Sequence, residues 1–400
     1  MLACSDHSDS SDYIDVLVIG GGVVGLASAV AMRMRGFSVT VLDAGILEIT
    51  AIAKKNTRVY AINSASQALF TKLGVWELFP KTAFSPYQGM HIWDALNHAE
   101  IAFEARDLAC AELGFIFEES VLRAALIERA EALGVQLISH AKVLDCIEIT
   151  GGMRVCTEDK RTWDAELCMI ADGAQSKMRD LLNIAMTTWS YHHDALVATV
   201  KTEKPHQHIA YQVFHSDGPL AFLPLKDPHH CSIVWSHPPA RIKALMALDT
   251  CNFEAELTKT FASKLGDVQL CSTRVSFPLR MRHVEQYSGA SWMLLGDAAH
   301  TIHPLAGLGL NVGLADLNAW LALLDKQKNA KCSARMLGAY QRERKHAVWR
   351  VILLMQGIKS VFGVSVVPVH LIRGMGMRIL NQARPFKRAL MAYAAGVDKE

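Results

Sequence analysis

The sequence predicts an α/β fold in which a parallel-sheet domain is split by an inserted antiparallel sheet and followed by a helical C-terminal region. A strand–helix–strand unit of about 30 residues begins near residue 13. From about Thr187 to Pro278, short alternating segments are separated by Pro, Gly, His and Asp, which is typical of antiparallel strands. Beyond about residue 340 the pattern is helical, with breaks near Gly363 and Pro368.

Local patterns predict the individual elements. An apolar run ending in glycines predicts a buried strand at Asp15–Gly20, and an Ala- and Met-rich stretch predicts a helix at Val23–Arg35. The remaining predicted elements, in chain order, are strand Phe37–Asp43, helix Ser120–Leu133, strand Leu167–Asp172, antiparallel segments Ala195–Lys201, Ala210–Phe214 and Cys231–Trp235, strand Ser291–Leu295 and helix Leu310–Leu324.

Composition excludes several classes of protein. The chain has 400 residues, enough for two or three domains, and 51% hydrophobic against 20% charged residues excludes wholesale disorder. Its net charge of +2 gives no overall field for nucleic acid, so we predict no nucleic-acid partner. The uncharged stretches Val351–Ile358 and Ser360–Val369 are shorter than the roughly 20 residues of a membrane-spanning helix.

Cysteine usage and the N-terminus predict a cytoplasmic location. Nine cysteines, with no Cys-x-x-Cys pair, predict neither a disulfide framework nor a zinc site and favour a reducing compartment. Residues Met1–Asp12 are polar and acidic and do not form a secretory signal.

A G-x-G-x-x-G motif, Gly20 to Gly25, lies between the first strand and the first helix. In this context Gly20 makes the turn, Gly22 lets the backbone approach a pyrophosphate, and Gly25 lets helix pack on strand. Phosphates would bind at the helix N-terminus, where free N–H groups and the helix dipole favour negative charge. Asp43 ends the second strand and can accept hydrogen bonds from ribose hydroxyls. The motif predicts a Rossmann-like dinucleotide site.

Two further motifs follow later strands. Asp172-Gly173, with Arg179 close by, comes after a buried strand and taken alone could be an ordinary turn. Asp297 follows the strand Trp292–Leu295 and can reach ribityl or ribose hydroxyls. The loop after it runs into a helix whose N-terminus can stabilise the negative charge of a reduced flavin ring. Residues predicted to shape this loop are Pro304, Gly307 and Gly309.

His300 and His303 lie within the third motif and could be metal ligands. No carboxylate or histidine cluster accompanies them, so we predict no metal site, and a role in loop shaping and flavin contact instead.

The three motifs in this order resemble those of the class A flavoprotein monooxygenases, which share the fold of para-hydroxybenzoate hydroxylase. The chain resembles the ubiquinone-biosynthesis hydroxylase family more closely, over about Tyr13 to Gly396. The stretches that carry the resemblance are Arg58–Ser66, Leu73–Trp76, Leu113–Glu118, Gly218–Leu225 and Gly296–Asn311.

The resemblance implies a discontinuous domain plan. An FAD-binding domain would comprise residues 13–75, 106–183 and 284–335, and a β-rich substrate domain residues 76–105 and 184–283, with a helical region at 336–400.

The resemblance also implies a role for each matching residue. The glycines of the first motif would hold the FAD pyrophosphate, and the second motif would lie near it, in a region also used during reaction with NAD(P)H. The full set implied to bind cofactor is Gly20, Gly22, Gly25, Asp43 (adenosine ribose), Arg58, Arg123, Asp172, Gly173, Asp297 (ribityl chain), Pro304, and Gly307, Gly309, Leu310 and Asn311 (flavin ring). Arg58 and Arg123 could instead be solvated surface charges. No catalytic acid or base is assigned.

Three positions depart from the family pattern. Asp43 stands where Glu is usual, so that a water would bridge to the ribose. Leu308 stands where Gln is common, which removes a side-chain polar contact, and Glu119 stands where Asn is common.

The implied activity is hydroxylation of a polyprenylated phenol in ubiquinone biosynthesis, with FAD, NAD(P)H and O₂ and through a flavin hydroperoxide. Arg344–His346 and Met355–Gly357 are most similar to the branch that hydroxylates 2-polyprenylphenol. No second G-x-G-x-x-G occurs, so NAD(P)H would bind without its own Rossmann domain. The alternatives are a flavin hydroxylase of a soluble aromatic, a non-catalytic subunit of a biosynthetic assembly, and a flavin-dependent reductase of prenyl double bonds.

Residues 342–388 combine ten Lys and Arg with one acid, Glu343, and with apolar runs. Such a segment can lie peripherally on the inner, anionic face of a membrane or on other ubiquinone-biosynthesis proteins. The alternative is a helix packed on its own domain with a solvated basic face.

Overall fold

The computed structural model describes residues 13–49, 58–97, 99–302, 309–327 and 332–363. They form three sheets and the helices that cover them, in agreement with the predicted α/β class.

The first sheet has seven strands in the order β8-β2-β1-β11-β10-β9, and β18 pairs with β11 beyond the end of β10. Strands β1, β2, β8, β11 and β18 are parallel, whereas β9 and β10 are antiparallel to their neighbours. The strands are β1 Tyr13–Ile19, β2 Val39–Leu42, β8 Gln136–Ile138, β9 Val143–Ile149, β10 Gly152–Thr157, β11 Thr162–Ile170 and β18 Trp292–Leu294.

The second sheet has nine strands in the order β19-β17-β12-β15-β14-β13-β5-β6, with β16 paired to β12. It is antiparallel except between β13 and β5. The strands are β5 Gly89–Asp94, β6 Glu100–Glu104, β12 Met186–Thr202, β13 Ile209–His215, β14 Gly218–Pro224, β15 His230–His237, β16 Val268–Leu270, β17 Val275–Val284 and β19 His300–Thr301. This sheet confirms the predicted antiparallel architecture between the two halves of the parallel sheet.

A small third sheet, with order β3-β7-β4, was not anticipated from the sequence. Its strands are β3 Val59–Ile62, β4 Phe84–Tyr87 and β7 Gly114–Glu118. The segment 76–105 therefore contributes strands to two sheets, because β5 and β6 join the nine-stranded sheet while β4 pairs with β7.

Helices cover the sheets and divide the interior into packed cores. Helix α1 (Val23–Arg33) packs against α3 (Glu119–Ala132) and α7 (Gly309–Asp325) beside the seven-stranded sheet. Helices α5 (Pro239–Ala247) and α6 (Thr250–Thr260) cover the nine-stranded sheet. In that second core the rings of Phe222 and Phe261 stack with centroids 3.7 Å apart. The helices are α1 Val23–Arg33, α2 Ser64–Lys72, α3 Glu119–Ala132, α4 Lys177–Leu181, α5 Pro239–Ala247, α6 Thr250–Thr260, α7 Gly309–Asp325 and α8 Ala334–Gly363, and short 3₁₀ turns lie at Trp76–Leu78, Ala105–Leu108 and Gly296–Ala298.

The described half of the basic C-terminal segment belongs to the core. Ile352 and Met355 of α8 are buried, and Leu353 is 64% exposed. Arg344, counted above among the basic residues of a contact surface, is instead buried in an ion pair. The described part of 342–388 is thus a helix packed on its own chain, and residues 364–388 lie outside the described ranges.

The described residues bear on two predictions from the sequence, one about membrane-spanning helices and one about disulfides. Within the described ranges, helices that could cross a bilayer are absent. Seven described cysteines are free thiols, which agrees with the absence of a disulfide framework, but Cys156 is disulfide-bonded, which the sequence reading did not predict.

Candidate functional site

The three sequence motifs follow three adjacent parallel strands. Ile19 at the end of β1 pairs with Ile170 of β11, and Ile170 pairs with Leu294 of β18. The carboxyl ends of parallel strands meet at one edge of a sheet, which is where open α/β sheets bind ligands. The motifs that begin at Gly20, Ala171 and Gly296 therefore lie close together at this edge of the sheet, although they are far apart in the chain.

Backbone contacts hold the three loops together. A Cβ built on Gly20, whose φ is +106°, would lie 2.3 Å from the Ala171 carbonyl oxygen. One built on Gly25 would lie 1.9 Å from the Gly20 oxygen. At the third loop, a Cβ on Gly313 of helix α7 would lie 3.0 Å from the Gly296 Cα. Side chains at these positions would force the loops apart.

Other glycines face open space at the same edge. A Cβ on Gly22, Gly173 or Gly309 would have no atom of another described residue within 4 Å, apart from its chain neighbours and its own helix, and Gly173 has a φ of +85°. Gly22 is the N-cap of α1, where no side chain caps the helix and no acid lies in the first turn. The uncapped N–H groups and this space fit a pyrophosphate, because helix N-termini attract anions.

Asp43 and Arg123 both contact the first loop. The Asp43 Oδ2 accepts a hydrogen bond from the Gly21 N–H at 2.5 Å, and its Oδ1 accepts one from the Gly45 N–H at 2.7 Å. Arg123 donates from Nε to the Gly21 carbonyl at 3.0 Å and from Nη2 to the Ile46 carbonyl at 3.3 Å. Both side chains therefore shape the glycine loop, and Arg123 is not a fully solvated surface charge.

Asp172 and Asp297 are carboxylates with unused hydrogen-bonding capacity. Asp172 accepts a hydrogen bond from the Met178 N–H through Oδ2, while its buried Oδ1 has no partner within the described ranges. The Asp297 carboxylate makes no hydrogen bond to any described residue, and burial raises the pKa of both groups. Each can accept a hydrogen bond from a ligand hydroxyl.

Arg58 lies at the start of β3, close to the third loop. Its guanidinium is 5.0 Å from the centre of the Tyr60 ring. Burial acts to lower the pKa of Arg58, but Tyr60, Glu119 and Asp297 outweigh it and raise the value. Arg58 therefore contributes positive charge towards Asp297, although its side chain is exposed to solvent, and its contact with the cofactor stays a prediction.

Two arginines that the sequence did not assign join the loops to one another. Arg179 donates from Nη1 to the Ala298 carbonyl and from Nη2 to the Ala174 carbonyl, both at 3.1 Å. Arg282, on β17 of the nine-stranded sheet, donates to the same Ala174 carbonyl at 3.1 Å. Arg179 was named with the second motif but given no role, whereas no local signal marks Arg282.

Asn311 has a structural role that the sequence did not anticipate. Its Oδ1 accepts hydrogen bonds from the Asn63 N–H at 3.1 Å and the Ser66 hydroxyl at 2.8 Å. Its Nδ2 donates to the Ala61 carbonyl at 2.7 Å. The side chain thus ties α7 to β3 and α2, and a ring contact from Asn311 would come from its backbone. Leu310 is half-buried beside it, and the predicted ring and loop residues Pro304 and Gly307 lie outside the described ranges.

His300 pairs with a buried carboxylate, and His303 lies outside the described ranges. The His300 Nε2 is 2.7 Å from the Asp316 Oδ2, and Asp316 also receives the Arg344 Nε at 2.7 Å. Metal-binding groups of three or more His, Cys, Asp or Glu are absent from the part of the chain that the structure describes. Sequence reasoning missed Asp316, and the available signal was an acid within an otherwise apolar helix.

Comparison with known proteins first gives the class. Residues 13–354 match the family described as "FAD binding domain". The structure of P. aeruginosa PqsL in complex with 2-aminobenzoylacetate superposes with a TM-score of 0.77 at 19% identity, covering 92% of this chain and 100% of PqsL. The protein is an FAD-dependent monooxygenase with the fold predicted from its sequence.

Relatives then give the family. The chain is 32% identical to the 3-demethoxyubiquinol 3-hydroxylase of Escherichia coli, over 96% of this chain and 98% of that protein. It is 30% identical to the ubiquinone hydroxylase UbiL of Rhodospirillum rubrum, over 98% of this chain and 91% of the relative. The chain belongs to the ubiquinone-biosynthesis hydroxylases, which confirms the resemblance stated from its motifs.

Proposed function

We propose that this protein hydroxylates the aromatic ring of a polyprenylated phenol, with NAD(P)H and O₂ as co-substrates. The observation that carries the proposal is the convergence of three loops at one sheet edge in a chain of this family. Within the family, we favour 2-polyprenylphenol as the substrate, on the similarity at Arg344–His346 and Met355–Gly357.

The described residues fit FAD by charge and by space. Bound FAD, once reduced by NAD(P)H, would activate O₂ so that one of its oxygen atoms can be transferred to the ring. The N-terminus of α1 would bind its pyrophosphate beside Gly22, Asp43 would bind the adenosine ribose through a bridging water, and Asp297 would accept from the ribityl hydroxyls. The first turn of α7, beginning at Gly309, would face the ring and favour negative charge there.

NAD(P)H would bind transiently near the second loop. The sequence has no second dinucleotide motif, and the Asp172-Gly173 turn carries the open position already described. Arg282 and Arg179 bring positive charge to this turn through their bonds to Ala174. Cations at that position favour an anionic co-substrate.

A peripheral membrane contact through 342–388 would deliver the insoluble substrate. In the described part of this segment, one face of α8 exposes Arg342, His346, Arg350 and Leu353. Basic side chains flanking an exposed leucine are suited to an anionic lipid surface. Other ubiquinone-biosynthesis proteins are the second kind of partner that such a face fits.

The experiment measures FAD content, NAD(P)H oxidation, O₂ uptake and product mass with ¹⁸O₂. Purified protein receives 2-polyprenylphenol, 3-demethoxyubiquinol or a soluble phenol, with the prenylated substrates in neutral or anionic vesicles. We expect one labelled oxygen in the 2-polyprenylphenol product and faster turnover on anionic vesicles. Turnover of the soluble phenol alone would contradict the prenylated substrate, and FAD binding without any turnover would favour an accessory subunit.

A further inference from the structure

Asp316 accepts three hydrogen bonds in the interior of the protein. Its Oδ2 receives the Gly296 N–H at 2.8 Å and lies 2.7 Å from the His300 Nε2. Its Oδ1 receives the Arg344 Nε at 2.7 Å. The Asp316 side chain is fully buried, and that of Arg344 is 8% exposed.

The three partners of Asp316 belong to three different parts of the structure. Gly296 directly precedes Asp297 in the third loop, and His300 lies in β19, which pairs with His283 of the nine-stranded sheet. Arg344 lies in α8, and Asp316 itself lies in α7, whose first turn begins at Gly309. A single carboxylate thus joins the FAD loop, the edge of the second sheet and the C-terminal helix.

The charge of Asp316 is maintained by its partners. Burial alone would raise the pKa of this carboxyl, but His300, Arg344 and the Gly296 N–H lower it below its usual value. Arg344 also donates from Nη2 to the Val312 carbonyl at 3.3 Å, one turn before Asp316. A buried ion with this many partners holds each of them in a defined position, because leaving any one unpaired is costly.

We propose that Asp316 is a positioning residue, which fixes the Asp297 loop relative to the first turn of α7 and to the edge of the substrate sheet. The two predicted flavin contacts, ribityl chain and ring, lie on the two elements that Asp316 joins. The proposal rests on the proposed function, because it takes the ribityl role of Asp297 from there.

A second, partly buried ion pair, in which the Arg154 side chain is 28% exposed, provides a control. Asp164 of β11 receives the Arg154 Nε at 2.7 Å and Nη2 at 2.8 Å. It pairs with Tyr13 at the amino end of β1, whereas the loops follow Ile19 and Ile170 at the other end. Six residues of strand place it about 20 Å from the loops. Its substitution tests the loss of a partly buried ion pair without touching the FAD site.

The experiment compares Asp316→Asn with Asp164→Asn in the full-length protein. The readouts are FAD affinity from flavin fluorescence, the visible spectrum of bound flavin, and thermal unfolding with and without FAD. We expect both variants to unfold at lower temperature, but FAD affinity to fall roughly tenfold, with an altered flavin spectrum, only in Asp316→Asn. Equal FAD affinity and an unchanged spectrum in Asp316→Asn would show a purely structural role and overturn the proposal.

A second pair of variants covers the case in which Asp316→Asn does not fold. His300→Leu removes the link to the second sheet while the Asp316–Arg344 pair remains. His300→Gln keeps an amide donor that can reach Asp316. We expect weakened FAD binding in His300→Leu and its recovery in His300→Gln, and equal affinity in both would refute the proposal. Failure of the wild-type protein to bind FAD would instead contradict the cofactor assignment itself.

Discussion

Aspartates lie at both ends of the seven-stranded sheet, and they differ in how far the described residues satisfy their hydrogen bonds. At the amino end, Asp15 accepts from the Ser38 N–H at 2.7 Å and the Ser38 hydroxyl at 2.8 Å, and Asp164 is paired with Arg154. At the carboxyl end, Asp43 is likewise satisfied by the Gly21 and Gly45 N–H groups, whereas Asp172 keeps a buried oxygen without a described partner and Asp297 has no hydrogen bond to the described residues. The presence of an aspartate alone therefore does not show whether its carboxylate stabilises the fold or is available to a ligand.

The difference separates stabilising carboxylates from binding ones. A satisfied buried carboxylate contributes to the fold, while an unsatisfied one costs stability and is retained where a ligand can complete its hydrogen bonds. The same contrast holds for the glycines, since Gly20 and Gly25 are pressed against backbone and Gly22 faces open space. Substitutions at the two kinds of position should therefore give opposite outcomes.

The largest effect is expected at the glycines. Gly25→Ala would place a methyl group 1.9 Å from the Gly20 oxygen, and we expect a loss of about 3 kcal/mol in the free energy of unfolding. Gly22→Ala has a permissive φ of −76° and no close neighbour, so stability should change by less than about 0.5 kcal/mol. Chemical denaturation of both variants, with an FAD titration of Gly22→Ala, tests the pair. We expect weaker FAD binding in the stable variant, and equal stabilities would remove the distinction.

Replacing Asp by Asn should change the free energy of unfolding in opposite directions for the two classes of aspartate. Asp164→Asn leaves Arg154 without its bidentate partner and should lower the free energy of unfolding by about 2 kcal/mol. Asp297→Asn removes a carboxylate that burial disfavours, and should raise the stability of the FAD-free protein while weakening FAD binding about tenfold. Thermal unfolding and FAD titration measure both quantities. A destabilised Asp297→Asn would mean that this carboxylate is satisfied in solution.

The smallest effect is a dependence of stability on pH. Because burial raises the folded-state pKa of Asp172 and Asp297 above 3.8, their protonated forms favour the folded protein. That contribution is present below 3.8 and is lost as the pH rises through the raised pKa values. The FAD-free wild type should therefore lose stability relative to an Asp172→Asn, Asp297→Asn double variant as the pH rises from 3.8 through the raised pKa values. Melting temperatures across this range give the difference, which would stay constant if these carboxyls titrated normally.

Local sequence signals predicted the FAD-side loops well. Gly20 and Gly22 lie between a recognisable strand and a recognisable helix, Gly25 lies in the first turn of that helix, and Asp172 and Asp297 each follow an apolar strand. Their convergence follows from the parallel order of three strands, which the predicted topology implies.

Long-range pairing explains what the sequence did not reveal. Arg282 reaches Ala174 from a different sheet, and Asp316 meets Arg344 from another helix. Arg344 looked like part of a basic surface because charge composition does not show which side of a helix is buried. The split of segment 76–105 between two sheets likewise depends on β7 and β13, whose pairing has no local pattern.

The order of the chain also has a consequence during translation. The first loop emerges from the ribosome early, but β18 adds to β11 only after the whole intervening sheet has been made, and Arg344 comes later still. Such distant pairings form slowly and leave partly built sheet edges exposed to aggregation. Nascent chains that stop short of α8 would lack Arg344, one of the three hydrogen-bond partners of the buried Asp316 carboxylate.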